Sequence, residues 1–347
     1  MPDSKTAVLI DAYSQIFRVF YAISHLSRRD GFPTNALFGF ARLLLQLEKE
    51  YAPTAGAMFF DCGKPEFRLE LAPDYKSNRP PMPEELKQQM PLLRELAGLF
   101  GWNICQCSNY EADDLIGAAV KSAPENHFAI ISSDKDLSQL IDEKTCMLIP
   151  SRNGGFEVRN IEATLAKFAV APCQIIDYLA LLGDNSDAIE GVAGIGPKTA
   201  AGILQSAGSL EKFFADPALV SNLKTRDKLL NSQELIKRNR KLIALRTLWP
   251  ENELGPLAGN LVKRPPDWAK IAGFAREYEL KSVLKELPKE FAADVPRTPA
   301  SAAPPPAAAA QDADDLFSWG EQQEHTGQAD RESAGKDSPR PTQGVLF

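Results

Sequence analysis

The chain has 347 residues, 44% of them hydrophobic, and a formal net charge of −7, enough for about two domains of ~150 residues with a sizeable core. Its five cysteines (Cys62, Cys105, Cys107, Cys146, Cys173) form no CxxC pair and its three histidines (His25, His127, His325) are scattered, which argues against a zinc site of the usual ligands. No apolar run approaches the ~20 residues of a membrane span and no signal peptide is visible, so the expectation is a soluble, cytoplasmic protein with reduced thiols whose metals, if any, are bound by oxygen.

TAVLI (6–10) is the first continuous apolar run, and it leads straight into Asp11. NALFGFARLLLQLEKE (35–50) has a helical period, and AGAMFF (55–60) is a second run that leads into Asp61. A loop, DYKSNR (74–79), precedes another helical stretch, PEELKQQMPLLRELAGLF (83–100), which is followed by the run WNICQ (102–106). SNYEADDLIG (108–117) then reads as a helix start with Asn109 as its cap and Glu111, Asp113 and Asp114 in the first turn. FAIIS (128–132) passes through Ser133 into Asp134 and Asp136. Short runs of this kind are strands buried on both faces of a parallel sheet, and their alternation with helices predicts α/β layers.

Acids near a helix N-terminus stabilise it by roughly 0.3–1 kcal/mol, a sufficient account of SNYEADDLIG taken alone. Its neighbours change the reading. Asp11, Asp61, Asp134, Asp136 and the Glu111–Asp114 group all follow a predicted strand, so they share the edge where α/β sheets bind ligands. Two more, Asp184 and Asp187, lie in LLGDNSDAIEGVAGIGPKT after the helix IIDYLALLG. Carboxylates so gathered raise one another's pKa unless cations neutralise them, and an all-oxygen set suits Mg²⁺ or Mn²⁺. Nine are too many for one such ion; two ions ~3.5–4 Å apart account for the number.

The chain ahead of residue 293 is the folded part. Beyond it the sequence is rich in Pro, Ala, Ser, Gln and acid, a composition that cannot build a core. That tail holds nine acids and four bases, leaving 35 bases and 37 acids in the folded part. Setting aside the nine clustered acids leaves a scaffold of 35 bases and 28 acids, which is compatible with a polyanionic substrate. In GIGPKT, Gly194 and Gly196 let backbone N–H groups approach a phosphate at the start of a helix that carries Lys198 and Thr199. The stretch is neither a Walker A loop nor GxGxxG.

DAYSQIFR from Asp11, the FFD ending at Asp61, DYKSNR, YEADDL, SSDKDL, GDNSD and GIGPKTA occur in the order found in the bacterial and phage 5′-nuclease family. This family comprises the flap endonucleases and the N-terminal 5′–3′ exonuclease domain of DNA polymerase I, and the resemblance spans about residues 5 to 290. It implies a PIN-like α/β fold with a mostly parallel sheet flanked by helices, a helical arch near 74–100 and a helix-hairpin-helix. The corresponding division is an α/β domain at 1–180, a helical region at 181–292 and a tail at 293–347. The resemblance assigns Asp11, Asp61, Glu111, Asp113, Asp114, Asp134, Asp136, Asp184 and Asp187 to a two-metal site. Lys76 and Arg79 become the positively charged catalytic residues that contact the scissile phosphate, with Arg18 a further one, and Tyr75, Gly194, Gly196, Lys198 and Thr199 contact DNA, with K⁺ at the hairpin.

The implied reaction is in-line phosphodiester hydrolysis on DNA with 5′ ends or flaps, or on an RNA–DNA hybrid, during replication and repair. Two departures stand out: Ala188 replaces an amide and Glu190 a proline in SDAIEG, which affects the local turn. No polymerase segment follows, so a separate protein would supply synthesis. At the terminus, Gln343, Leu346 and Phe347 of QGVLF resemble the Q-x-x-L-F peptide that binds the bacterial sliding clamp, with DDLF (314–317) a poorer second candidate. A PIN-type RNA nuclease and a non-catalytic branched-DNA module are the other readings. GIGPKT argues against the first, and nine uncompensated carboxylates argue against the second.

Overall fold

The computed structural model describes residues 6–151 and 154–291, which form one compact unit; Gln343, Leu346, Phe347 and the rest of the tail lie outside the described residues. A six-stranded sheet runs in the order β3-β2-β1-β4-β5-β6, built from β1 (Thr6–Asp11), β2 (Gly56–Phe59), β3 (Asn103–Cys105), β4 (His127–Ile131), β5 (Thr145–Pro150) and β6 (Phe156–Arg159). The first five are parallel and β6 is antiparallel to β5. The four expected strands are thus present. β6 escapes a search for apolar runs because FEVR is half charged and only its last residue is buried, whereas β5, TCMLIP, is apolar and stands outside the four expected strands.

The pleat divides each central strand between two cores. Val8 and Ile10 point into one cluster with α1 (Ala12–Ala22), α2 (Asn35–Tyr51), α4 (Glu84–Leu99), α14 (Trp268–Glu277) and α15 (Lys281–Glu286). Ala7 and Leu9 point into the other, against α5 (Ala112–Ser122) and the 3-10 turn Asp136–Leu140. A third cluster holds the helical region: α3 (Glu66–Leu71), α7 (Ile175–Leu182), α8 (Pro197–Ala207), α9 (Leu210–Ala215), α10 (Leu223–Asn231) and α11 (Gln233–Ile243). The shorter α6 (Ile161–Phe168), α12 (Glu251–Leu254) and α13 (Leu257–Asn260) complete the set. Among the described residues no single helix is long and apolar enough to cross a membrane.

The strand order explains the site's position. The chain steps from β1 outward to β2 and β3, then returns to β4 on the other side of β1, so the crevice lies at the C-terminal ends of β1 and β4. In the 74–100 stretch, residues 74–83 are turns and loop. α4 behind them packs Leu86, Leu93, Leu96 and Ala97 into the core.

Candidate metal and phosphate site

Each acid is placed by its element's end. Asp11 closes β1 and caps α1, its Oδ1 accepting from the Ser14 N–H at 3.2 Å and its Oδ2 from the Ser132 hydroxyl at 2.9 Å. Asp61, just past β2, accepts from the Ala112 N–H at 2.7 Å and so draws α5 to the same edge. Glu111, not Asn109, is the N-cap of α5; Asn109 is instead in the left-handed region (φ +60°), where Asn is tolerated and the chain turns toward the helix. Asp136 opens its 3-10 turn with its N–H on Asp134 Oδ1 at 2.9 Å.

Asp184 and Asp187 sit in a loop fastened at both ends. Asp184 and Ile189 exchange backbone hydrogen bonds of 2.8 Å. Gly183 (φ +73°) and Gly191 lie back to back, and a Cβ on Gly191 would fall 2.0 Å from the Leu182 carbonyl oxygen. The left-handed turn at Ala188 (φ +57°) is made despite the missing amide, and the Glu190 carbonyl accepts from Asn239 at 2.7 Å.

The acids feel one another. Burial, and then the carboxylates of Asp61 and Asp134, push Asp11 up to about 8. Burial likewise lifts Asp134 to about 6 and Asp136 well above the usual range, the latter reinforced by Asp134, Asp184 and Asp187. Asp61 and Glu111 are also raised, by burial first, with Lys76 pulling each back. Burial would raise Asp184 too, but Lys135 at 3.3 Å and Ser186 outweigh it and hold the carboxyl low.

Two of the expected bases are within the cluster. Lys76, itself in the left-handed region at φ +54°, donates to Glu111 Oε1 at 2.6 Å and lies 3.9 Å from Asp187. Arg79 donates to Asp187 Oδ1 at 2.6 Å. Tyr75 is buried and donates its hydroxyl to Glu111 at 3.0 Å. Arg18 donates its guanidinium to the Pro150 carbonyl at 2.8 Å, and among the described residues no ion pair joins it to the acids. An open pocket of about 420 Å³ joins Asp61, Glu111, Lys76, Ser77 and Arg79 with Gly63 and Lys64. At the hairpin, Gly194 takes φ +72° and Gly196 caps α8, whose first-turn Lys198 and Thr199 are exposed.

Sequence reasoning missed Arg68, Lys135 and Lys64. Arg68 carried no signal, because an arginine in the amphipathic EFRLEL defaults to solvent; here it is 1% exposed. Lys135 did carry one, standing between two site aspartates in SSDKDL. One oxygen from each of Glu111, Asp113 and Asp114 lies within 4.8 Å of the others, a spacing suited to a shared ion. The hydrogen bonds divide the three, however. Asp114 is held by Arg68 through two bonds of 2.6 and 2.9 Å, whereas Asp113, among the described residues, accepts only from the N–H of the next residue at 2.7 Å.

Residues 6–168 match the 5'-3' exonuclease N-terminal resolvase-like domain, and residues 170–257 match the 5'-3' exonuclease C-terminal SAM fold. The chain belongs to the 5'-3' exonuclease family. A 5'-3' exonuclease of Aquifex aeolicus is 36% identical over 289 residues, covering 83% of this chain and 96% of that protein. DNA polymerase I of Bacillus subtilis is 38% identical over 251 residues, or 71% of this chain but only 28% of the polymerase. Among solved structures, T5 5'-exonuclease with bound zinc ions superposes with a TM-score of 0.59 at 24% identity, over 81% of this chain and 98% of that one. The catalytic core of Rad2 with a DNA substrate superposes at 0.56 and 17% identity, over 83% and 93% of the two chains. These likenesses show the fold. The chain is therefore a nuclease whose acids stand at the switch point of a mostly parallel sheet.

Proposed function

We propose that this exonuclease hydrolyses phosphodiester bonds of DNA at 5′ ends and 5′ flaps, using two divalent ions, Mg²⁺ or Mn²⁺, held by the carboxylates at the sheet edge. One observation carries the reading: buried acids pushed toward protonation share a pocket with Lys76 and Arg79. The donor set is all oxygen, which suits hard divalent cations, and Lys76, Arg79 and Lys135 pair with its acids. Asp11, Asp61, Glu111, Asp113, Asp134, Asp136, Asp184 and Asp187 would hold them, directly or through water. When bound, the ions supply the Lewis acidity that activates water and stabilises the leaving 3′ oxygen.

The chain's own groups do the rest. Lys76 and Arg79, which here donate to Glu111 and Asp187, would direct their N–H groups at the phosphate oxygens and stabilise the charge that develops there. Ser77 and Lys64 line the same pocket. Arg18 donates to the carbonyl of Pro150 at the end of β5. Residues 74–83, with the start of α4, would be the part that arches over a threaded 5′ end. Gly194, Gly196, Lys198 and Thr199 would grip the duplex backbone without reading bases, with K⁺ held at the hairpin. The terminal Gln343, Leu346 and Phe347 would recruit the sliding clamp, and free cysteines fit a cytoplasmic setting.

The test is cleavage of a 5′-labelled flap duplex with Mg²⁺ and with EDTA. Products bearing a 5′-phosphate, formed only with the metal, are expected. Cutting of single-stranded RNA in preference to the flap would favour a PIN-type RNA nuclease, and binding of the flap without cutting would favour a non-catalytic module.

A further inference from the structure

We propose that Arg68 is a positioning residue of the acidic site and that Asp114 is its anchor, not a metal ligand; this rests on the reading of the neighbouring acids as a divalent-metal site. An ionised carboxylate has about four lone-pair positions. On Asp114 four donors already fill them: two Arg68 N–H groups at 2.6 and 2.9 Å, the Arg246 N–H at 3.1 Å and the Glu111 N–H at 3.4 Å. Its side chain is 0% exposed, so no ion reaches it without breaking a charge-assisted pair.

The same guanidinium reaches Glu111. Arg68 Nη1 donates to Glu111 Oε2 at 2.7 Å, and Nε donates to the Leu242 carbonyl at 2.9 Å. The ring of Phe67 lies 4.8 Å beneath its carbon. One planar fork thus ties α3, α5 and the end of α11 together and fixes one oxygen of Glu111. The other oxygen accepts from Lys76 and is the one left to turn toward an ion, while the Asp114 N–H also faces the Glu111 carboxylate in the capping box of α5. Lysine cannot reproduce this, because it offers a point charge in place of the fork. Arg68 also cancels the charge of Asp114, so that acid adds nothing to the repulsion that metals must offset.

The experiment uses the full chain stripped of metal, with Mn²⁺ binding followed by calorimetry and by electron paramagnetic resonance, and melting measured without divalent ions. Asp113→Asn is expected to lose one Mn²⁺. The double variant Arg68→Met, Asp114→Leu replaces a buried pair by apolar groups, a change that proteins tolerate better than loss of one partner. It should melt well above either single variant and still bind two Mn²⁺. Arg68→Lys should keep both ions but bind them about tenfold more weakly, as expected for loss of a ligand's supporting partner. Should the single apolar variants not fold, Asp114→Asn, with the same size and one acceptor retained, should melt lower than wild type and bind two ions.

Loss of one ion from Asp114→Asn or from the double variant overturns the proposal, as does a double variant whose melting loss equals the sum of the two singles. Unchanged Mn²⁺ affinity in Arg68→Lys overturns the positioning role. A wild type that binds no divalent ion overturns the metal reading instead, and the melting comparison still decides whether Arg68 and Asp114 act as a pair.

Discussion

The two regions that would meet DNA are built on opposite principles. At the sheet edge the charged groups are tied to one another and the central pair is buried: Lys76 is 9% exposed and Glu111 4%, joined at 2.6 Å, while Arg79, 45% exposed, is held by Asp187 at the rim. At the hairpin, Gly194, Gly196, Lys198 and Thr199 are all exposed. Chemistry at a phosphate needs charge fixed before the reaction, in a place where water screens it little. Holding a duplex by its backbone needs the reverse, a hydrated cation and free N–H groups that accept any sequence. Substitutions should therefore behave differently in the two places.

The largest effect is expected from Asp113→Asn. Asp113 is the least encumbered acid of its helix turn, so removing its charge should cut the rate of flap cleavage by at least about 100-fold, the scale of losing one stabilising charge in an active site. Melting without metal should stay unchanged or rise, because a repulsive charge has gone. A wild-type cleavage rate would show that the catalytic acids lie elsewhere in the cluster.

The buried region should also be the one that titrates. Asp11 rises from 3.8 to about 8, and burial lifts Asp134 to about 6. Folding thus favours their protonated forms. Their contribution to stability is complete below the unfolded value and is lost as pH rises through about 6 and then about 8. The metal-free protein should melt at progressively lower temperature across that window, and Asp11→Asn should melt with a flatter profile in its upper half. Saturating Mg²⁺ should flatten the wild type as well. A metal-free profile that climbs from about pH 6 to about pH 8 would contradict the assignment.

At the exposed region the effect is smaller and of another kind. Lys198→Ala should weaken binding to all duplex sequences alike and lower the slope of log K against log salt by about one, with the cleavage rate at saturating substrate unchanged. A sequence-dependent loss would break the contrast between the two regions, and an unchanged slope would leave Lys198 an ordinary surface lysine.

Much of the buried region was legible in the sequence because strands announce themselves. TAVLI, AGAMFF and FAIIS are apolar enough to be read as buried, and the acid after each then marks the edge. The edge strand β6 was not legible, since FEVR is half charged and lies at the margin of the sheet. Nor was the division of labour within YEADDL. Spacing places Glu111, Asp113 and Asp114 on one helix turn but says nothing of Arg68, which lies 43 and 46 residues from its partners Glu111 and Asp114. Long-range pairing of a buried arginine leaves no local pattern. Asn109 was misread as the cap because Asn serves both as a helix cap and as a left-handed turn residue, and here it is the second.

The smallest effect is expected at the junction of the two regions, the loop that carries Asp184 and Asp187 into the hairpin. Ala188 there holds φ +57°, a conformation that costs an ordinary L-residue roughly 1 kcal/mol and that Asn or Gly adopts more readily. The turn forms nonetheless, because the Asp184–Ile189 hydrogen bonds and the glycine pair on either side impose it. Ala188→Asn should therefore raise stability by about 0.5–1 kcal/mol, a shift of roughly 1–3 °C in melting temperature for a protein of this size, while metal affinity stays the same. An accompanying gain in affinity would mean that the strain reaches the carboxylates, and that the loop couples the hairpin to the acids. A loss of stability would mean that Ala188 packs better than its backbone angle suggests. The expected result, a small gain confined to melting, would show that the two regions share a chain segment and divide the work.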